Sequence, residues 1–174
     1  GHAMLCMLGG ETPSYLTIVA RGDHGGYMQH AEQEGKAIYT RQELLARIRT
    51  SLGGRAAEIV YYGQEDGIST GASGDLLSAT NLARQLLCSY GMDESFGLAV
   101  EVGNGPMSNE VRMAVNRILQ EQMSETIRLV QENRDQIDAL VTELMEKNHL
   151  SAAQIRWAIE KNQEREASKK AGTA

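Results

Sequence analysis

The sequence predicts a mainly α-helical domain, with a small pair of β-strands near the N-terminus and a C-terminal helical bundle. Only 5% of the 174 residues are aromatic whereas 41% are hydrophobic, so aliphatic side chains have to build the core, which favours helices over a β-sandwich or barrel. Seventeen of the 18 glycines lie at or before Gly105, and residues 107–171 contain neither glycine nor proline. An uninterrupted stretch of this kind is typical of consecutive helices.

The first half divides into short elements separated by glycines. Residues 3–8 have the composition of a helix end and stop at a glycine pair. The β-branched and aromatic run at 15–20 predicts a strand, and residues 27–30 predict its hairpin partner beyond a glycine-rich turn. Thr40 begins a capping box that predicts a long helix. After a polar loop, a further helix is predicted over about 75–90.

The second half predicts two or three helices. Two apolar stripes are separated near Asn133, and a second capping box at Ser151 begins a final helix. We expect His149 to serve the end of the preceding helix. The expected organisation is a core over residues 1–105, a helical continuation of the same domain over 106–165 and a flexible tail over 166–174.

Composition excludes several classes of protein. The net charge of −6 argues against nucleic-acid binding. No stretch approaches the roughly 20 apolar residues that span a bilayer, and no secretory signal is present, so we expect a soluble chain. Two cysteines are too few for a disulfide framework and fit a reducing compartment.

Residue types alone do not define a site. Each of the four histidines has an ordinary structural or solvent-exposed explanation. Asp75 stands at the predicted start of a helix, where a carboxylate stabilises the helix by about 0.3–1 kcal/mol. The preceding loop lacks the pattern of a phosphate-binding loop, and no nucleophile elbow is present.

Several short segments, spread over almost the whole chain, identify the chain more specifically when they are taken together than any single residue does. Residues 1–3 (GHA) look like the end of a His-Glu-Ala-Gly-His-Ala motif, and residues 26–29 (GYMQ) resemble a substrate-side strand. Residues 52–58 (LGGRAAE) and 69–76 (STGASGDL) follow in the same order. The chain thereby resembles the peptidase domain of FtsH-type ATP-dependent zinc proteases, the M41 family.

The resemblance implies a zinc site. His2 matches the second histidine of HExxH, a motif that places two histidines one helical turn apart. Asp75 matches the aspartate that supplies the third ligand in this family, which leaves one coordination position open. Tyr27, Met28 and Gln29 match the strand that is expected to pair with an extended substrate.

The first histidine and the general-base glutamate of the motif would precede Gly1, so the resemblance places no catalytic residue in this chain. We therefore expect no peptide hydrolysis by the chain as it stands. Gly1 and His2 are either native or the remnant of an expression tag, and the apolar continuation favours the native interpretation. The alternative function is a catalytically dead scaffold or oligomerisation module.

The resemblance also implies partners. These are an AAA+ ATPase module in the parent chain, unfolded protein or peptide substrates, and a homo-hexameric parent anchored in the bacterial inner membrane with this domain on the cytoplasmic side. Gly53 and Gly54 are expected to pack closely against the motif helix. Arg55 and Glu58 are either a surface ion pair or a partly buried structural pair. The region after Met107 is expected to be scaffold and subunit interface.

Overall fold

The computed structural model describes residues 1–19, 27–30, 38–98 and 105–171. In this part of the chain the predicted class is confirmed, because helices dominate and a small antiparallel sheet lies near the N-terminus. The helices are α1 (His2–Leu8), α2 (Arg41–Tyr62), α3 (Ser73–Cys88), α4 (Asn109–Glu132), α5 (Arg134–Lys147) and α6 (Ala152–Ala171), with a 3-10 turn at Thr70–Ala72. The strands are β1 (Pro13–Thr17), β2 (Tyr27–His30) and β3 (His149–Ser151).

The predicted strand pair is part of a three-stranded sheet in the order β2-β1-β3. Strand β1 begins two residues before the predicted start and ends at Thr17. Just beyond its end, the Thr17 hydroxyl accepts a hydrogen bond from the Val19 N–H, at 3.0 Å, and residue 19 lies in a bend. The glycine-rich turn between β1 and β2, with His24, lies outside the described residues.

The capping predictions are confirmed. Thr40 and Glu43 form a reciprocal capping box at the start of α2, and Ser151 and Gln154 form another at the start of α6. Helix α3 ends at Cys88, and Gly91 follows with a φ of 56°. A residue with a Cβ rarely adopts that conformation, so a glycine suits this helix end.

The C-terminal region differs from the prediction at His149. Asn133 separates α4 from α5 as predicted, and its side-chain amide donates to the Leu129 carbonyl at 2.8 Å. Asn148 then adopts a φ of 62° and directs the chain away from α5. His149 does not serve a helix end, because it begins β3 and its ring stacks on Tyr15 with 5.8 Å between centroids.

Two apolar clusters hold the elements together. The first lies between α2, α3 and α4, around Ile48, Leu86 and Ile118. The second joins α1, α5, β3 and α6 to the far ends of α2 and α4, and Met4 and Leu150 are buried in it. Helix α2 therefore contacts α1, α3 and α4. Among the described helices, none combines the length and apolar character needed to cross a membrane.

Candidate metal centre

His2 and Asp75, which are 73 positions apart in the sequence, meet in the structure. The His2 Nε2 atom lies 3.0 Å from Asp75 Oδ2. His2 is the first residue of α1 and Asp75 lies in the first turn of α3. Their side chains are 32% and 41% exposed, so both groups can reach a ligand from solvent.

The glycine pair of α2 forms the surface against which α1 begins. A Cβ at Gly53 would lie 3.1 Å from the Gly1 carbonyl carbon and the His2 nitrogen. A Cβ at Gly54 would lie only 2.5 Å from Cε1 of the His2 imidazole. The predicted close packing of these glycines is confirmed, and at Gly54 the neighbour is the candidate ligand itself.

The loop that leads to Asp75 is held by the same helix. The Glu58 carboxylate accepts hydrogen bonds from the Ser69 hydroxyl and from its N–H. Arg55 donates to the Ser69 carbonyl at 2.7 Å and pairs with Glu58 at 3.1 Å. The two side chains are only 17% and 22% exposed, so Arg55 and Glu58 form a partly buried structural pair. The Ser69 hydroxyl, with the Ser69 N–H and the Arg55 guanidinium, holds the pKa of Glu58 below its ordinary value.

Residues of the segment 52–58 thus contact one candidate ligand and the loop that precedes the other. Gly53 and Gly54 contact α1 at His2, while Arg55 and Glu58 hold Ser69, six residues before Asp75. One helix therefore contacts His2 directly and also holds the loop that leads to Asp75. This is a physical role for the segment that the sequence singled out.

The donor pair fits a zinc ion. Zinc lies about 2.0–2.2 Å from imidazole nitrogen and carboxylate oxygen, so two tetrahedral donors are about 3.4 Å apart. The observed 3.0 Å between His2 Nε2 and Asp75 Oδ2 would have to open by only a few tenths of an ångström. Among the described residues, no group of three His, Cys, Asp or Glu side chains is arranged to hold a metal ion. That His2 and Asp75 bind zinc stays a prediction.

Cys6, one helical turn beyond His2, is not arranged as a further ligand. Its thiol is buried and donates to the Glu11 carbonyl at 3.5 Å. Burial, together with the charge of Glu11, raises the pKa of the Cys6 thiol to about 11. The thiolate form that would bind a metal or attack a carbonyl is therefore disfavoured at neutral pH.

A cavity of about 250 Å³ lies beside His2. Tyr27 and Met28 of β2 line it, whereas Gln29 does not. Within the described part of the chain β2 is an edge strand, since only β1 pairs with it. The structure thus places two of the three predicted substrate-strand residues next to the candidate ligand.

Sequence analysis missed the contribution of α5. This helix was expected to be scaffold, yet its residues Leu140, Val141 and Leu144 also line the cavity beside His2. The apolar stripe of α5 predicted a buried face, but it carried no signal for a cavity.

Comparisons with known proteins match this chain to a known family. The model of peptidase family M41 matches residues 1–157. The chain belongs to peptidase family M41. The M41 chain is 38% identical over 167 residues to "ATP-dependent zinc metalloprotease FtsH 2" of Symbiobacterium thermophilum, covering 90% of this chain and 28% of that protein. It is 30% identical over 180 residues to "ATP-dependent zinc metalloprotease FtsH" of Bacillus subtilis, covering 92% and 28%.

A third relative is the "ATP-dependent zinc metalloprotease FtsH" of Mycoplasmopsis pulmonis, 32% identical over 179 residues, with 93% of this chain and 24% of that protein covered. The M41 chain therefore spans about a quarter of the length of these curated relatives. Because the match includes residues 1–3, 52–58 and 69–76, the candidate ligands and the α2 segment that supports them lie within the family region.

Proposed function

We propose that this chain is the zinc metalloendopeptidase domain of an ATP-dependent, membrane-anchored protease that degrades unfolded or damaged proteins. The observation that carries the proposal is the approach of His2 Nε2 to Asp75 Oδ2, at 3.0 Å, in a chain of family M41. His2 and Asp75 are 73 positions apart and are of two residue types that bind zinc. Helix α2 contacts His2 and the loop before Asp75.

His2 and Asp75 hold the metal in this proposal. A bound zinc ion lowers the pKa of a water molecule to about 7 and polarises a carbonyl oxygen. The neutral imidazole of His2 supplies a nitrogen lone pair, and Asp75 supplies one carboxylate oxygen. Gly54 leaves room for the imidazole ring, and Glu58 keeps Ser69 and the start of α3 in place.

Strand β2 binds the substrate backbone. Its unpaired edge in the described structure offers N–H and C=O groups to an extended peptide, which adds as a further strand. Such pairing reads main chain more than side chains, which suits a protease that acts on unfolded proteins of many sequences. Tyr27, Met28 and Gln29 form that edge, and the first two bring the peptide beside His2.

The general base and the remaining histidine ligand of the family motif would precede Gly1. We therefore expect that the 174 residues alone do not hydrolyse peptides. The relatives are named ATP-dependent, and we place this domain in a homo-hexameric parent with an AAA+ ATPase module and an anchor in the bacterial inner membrane. The alternative is a catalytically dead scaffold or oligomerisation module.

The test compares four proteins. The residues encoded immediately before Gly1 are determined first, and a chain extended by them is assayed for chelator-sensitive peptidase activity beside the 174-residue chain. We expect activity only in the extended chain, and its Asp75→Asn variant should lose zinc and activity but keep the fold. Asp66→Asn, an exposed loop position, is the matched control.

Three results would each contradict a part of the proposal. Zinc-dependent turnover by the 174-residue chain would refute its expected inactivity. Unchanged zinc content in the Asp75→Asn variant would refute the ligand role of Asp75, and an upstream sequence without His-Glu would favour the scaffold.

A further inference from the structure

Three rings form a row across the small sheet. The Tyr15 ring of β1 lies between Tyr27 of β2, with 6.0 Å between centroids, and His149 of β3, with 5.8 Å between centroids. Tyr15 pairs directly with Gln29 and Ser151, so each ring partner lies two residues before the paired residue. Side chains two positions apart share a face of a sheet, and diagonal neighbours are within reach of aromatic rings. The three rings, called the ring row below, therefore lie on one face.

The ring row does not belong to the hydrophobic core. The opposite face of the sheet carries Leu16, Met28 and Leu150 at neighbouring register positions, and Leu150 is fully buried. In the described part of the chain, neither apolar cluster includes a residue of the ring row. Tyr27 is 37% exposed, and His149 is exposed as well. The contacts among the rings thus stabilise the sheet itself and not the packing of the helices.

Strand β2 needs such support. It has four residues and, within the described structure, pairs with β1 alone. A two-stranded pair is only marginally stable in water unless further strands or a helix pack on it. The Ser14 hydroxyl donates to the Gln29 carbonyl at 3.1 Å, and the Tyr15 ring contacts Tyr27 at the other end of β2. Because Tyr27 also lines the cavity beside His2, this ring contact is made next to the candidate ligand.

The β3 end of the ring row is firmly held. His149 directly follows Asn148, whose carbonyl accepts hydrogen bonds from the Ile18 N–H at 3.2 Å and from the Thr17 hydroxyl at 3.1 Å. Leu150, the next residue, is buried in the second apolar cluster together with residues of α5 and α6. The C-terminal helices therefore set the position of His149, and the ring row carries this support to β2.

On the basis of the function proposed above, we infer that Tyr15 and His149 are positioning residues for the peptide substrate. Their rings hold Tyr27, and with it the unpaired edge of β2, in the orientation that accepts an extended peptide beside His2. Both residues act through Tyr27. A strand that adopts its binding orientation only part of the time binds a peptide more weakly, in proportion to that fraction. One aromatic pair changes such an equilibrium about 2- to 10-fold.

The first experiment measures peptide binding to the full 174-residue chain by nuclear magnetic resonance. The probe is acetyl-Gly-Ala-Phe-Leu-Ala-Gly-amide, and the backbone amides of β2 report its binding. Tyr15→Val and His149→Thr each remove a ring but keep a residue type that favours strands. We expect Tyr15→Val to weaken binding about 2- to 10-fold and to shift the Tyr27 amide signal before peptide is added, whereas the Leu150 methyl signals stay in place.

Two further variants separate the ring contact from a general loss of structure. Tyr15→Phe keeps the ring and should restore the affinity of the wild type. Tyr90→Val is the matched control, because Tyr90 is a 50% exposed tyrosine outside the sheet, and it should bind like the wild type. Because His149 acts through Tyr15, the double variant Tyr15→Val/His149→Thr should bind no more weakly than Tyr15→Val alone, so the two effects are not additive.

The second experiment measures turnover of the same peptide, labelled with a fluorophore and a quencher, by the chain extended with the residues encoded before Gly1. Tyr15→Val should raise KM about 2- to 10-fold and leave kcat unchanged. A substitution that weakens binding of the substrate and of the transition state equally has this signature.

The outcomes distinguish this inference from the function on which it rests. If the peptide does not shift the β2 amides of the wild type, the proposed substrate strand fails and the inference fails with it. If the wild type binds and Tyr15→Val binds equally well, or if Tyr15→Phe binds as weakly as Tyr15→Val, only the inference is overturned. Additive losses in the double variant overturn the action of His149 through Tyr15. A fall in kcat at unchanged KM overturns the positioning role of Tyr15.

Discussion

Replacing Gly54 by alanine tests the arrangement of the candidate metal centre most directly. Gly54 lies inside α2, where alanine is favoured over glycine by about 0.5–1 kcal/mol. The added methyl group, however, would lie 2.5 Å from His2 Cε1 and 3.3 Å from both ring nitrogens. The same substitution therefore acts on helix stability and on ligand placement in opposite directions.

The structure sets the size of the displacement. Ordinary van der Waals contact begins at 3.4 Å, so the imidazole has to move by about 0.9 Å. Metal–ligand distances tolerate only about 0.2 Å. The methyl group meets the far end of a side chain that is 32% exposed, so the ring can rotate away while α1 and α2 stay packed. We expect Gly54→Ala to lower the affinity for zinc at least about 10-fold and to change the free energy of unfolding by less than about 1 kcal/mol.

The assay measures zinc binding by the chain extended with the residues encoded before Gly1, in competition with a chromophoric chelator, beside denaturant unfolding followed by circular dichroism. Gly74→Ala is the matched control, because a Cβ there meets nothing within 4 Å although Asp75 is the next residue. This variant should raise the free energy of unfolding by about 0.5–1 kcal/mol and leave zinc affinity unchanged. Wild-type zinc affinity in Gly54→Ala would refute the role of His2 as a ligand seated on Gly54.

Three further substitutions test other contacts. Glu58→Gln weakens the hold on Ser69 and should lower zinc affinity about 10-fold in the chelator assay. The folded-state pKa of Glu58 is lowered, so its carboxylate stabilises the fold above the unfolded pKa of about 4.3, and this contribution is lost as the pH falls through the folded pKa. The Glu58→Gln variant should lack this acid-dependent loss of stability. Identical acid-unfolding curves for the variant and the wild type would contradict the reasoning. Arg117 donates to both oxygens of the Asp93 carboxylate, which is 4% exposed. Arg117→Met leaves that carboxylate with Ser95 and with Arg41 at 3.9 Å, and should destabilise the fold by about 2 kcal/mol in urea unfolding, whereas Arg112→Met on the exposed face of α4 should not. Leu150→Ala should cost about 3 kcal/mol although β3 has only three residues, and a loss below about 1 kcal/mol, the usual scale of an exposed site, would mean that β3 is not part of the core.

The structure explains which elements the sequence could predict. Thr40 and Ser151 begin helices through contacts with residues three positions away, so the signal is complete within a few residues. Strand β3 has no such signal, because its pairing partner β1 lies more than 130 positions earlier. A three-residue strand is too short for alternation to appear, and His149 was therefore assigned to a helix end.

Site residues divide in the same way. His2 and Asp75 could be named as candidate ligands from the sequence, because the short segments that contain them resemble motifs of the family. The roles of Gly54 and Glu58 needed the fold, because one gives space to a side chain 52 positions earlier and the other holds a loop 11 positions later.

The sequence by itself determined the mainly helical class, most helix starts and ends, and membership of a zinc-peptidase family. These properties depend on local backbone preferences and on short motifs that can be recognised in the sequence alone. Only the tertiary structure decided the 3.0 Å approach of His2 to Asp75 and the cavity that β2 and α5 line together. Those features arise where elements that are far apart in the sequence pack together. Their packing depends on the shapes of both elements, and the sequence of one segment does not contain the shape of the other.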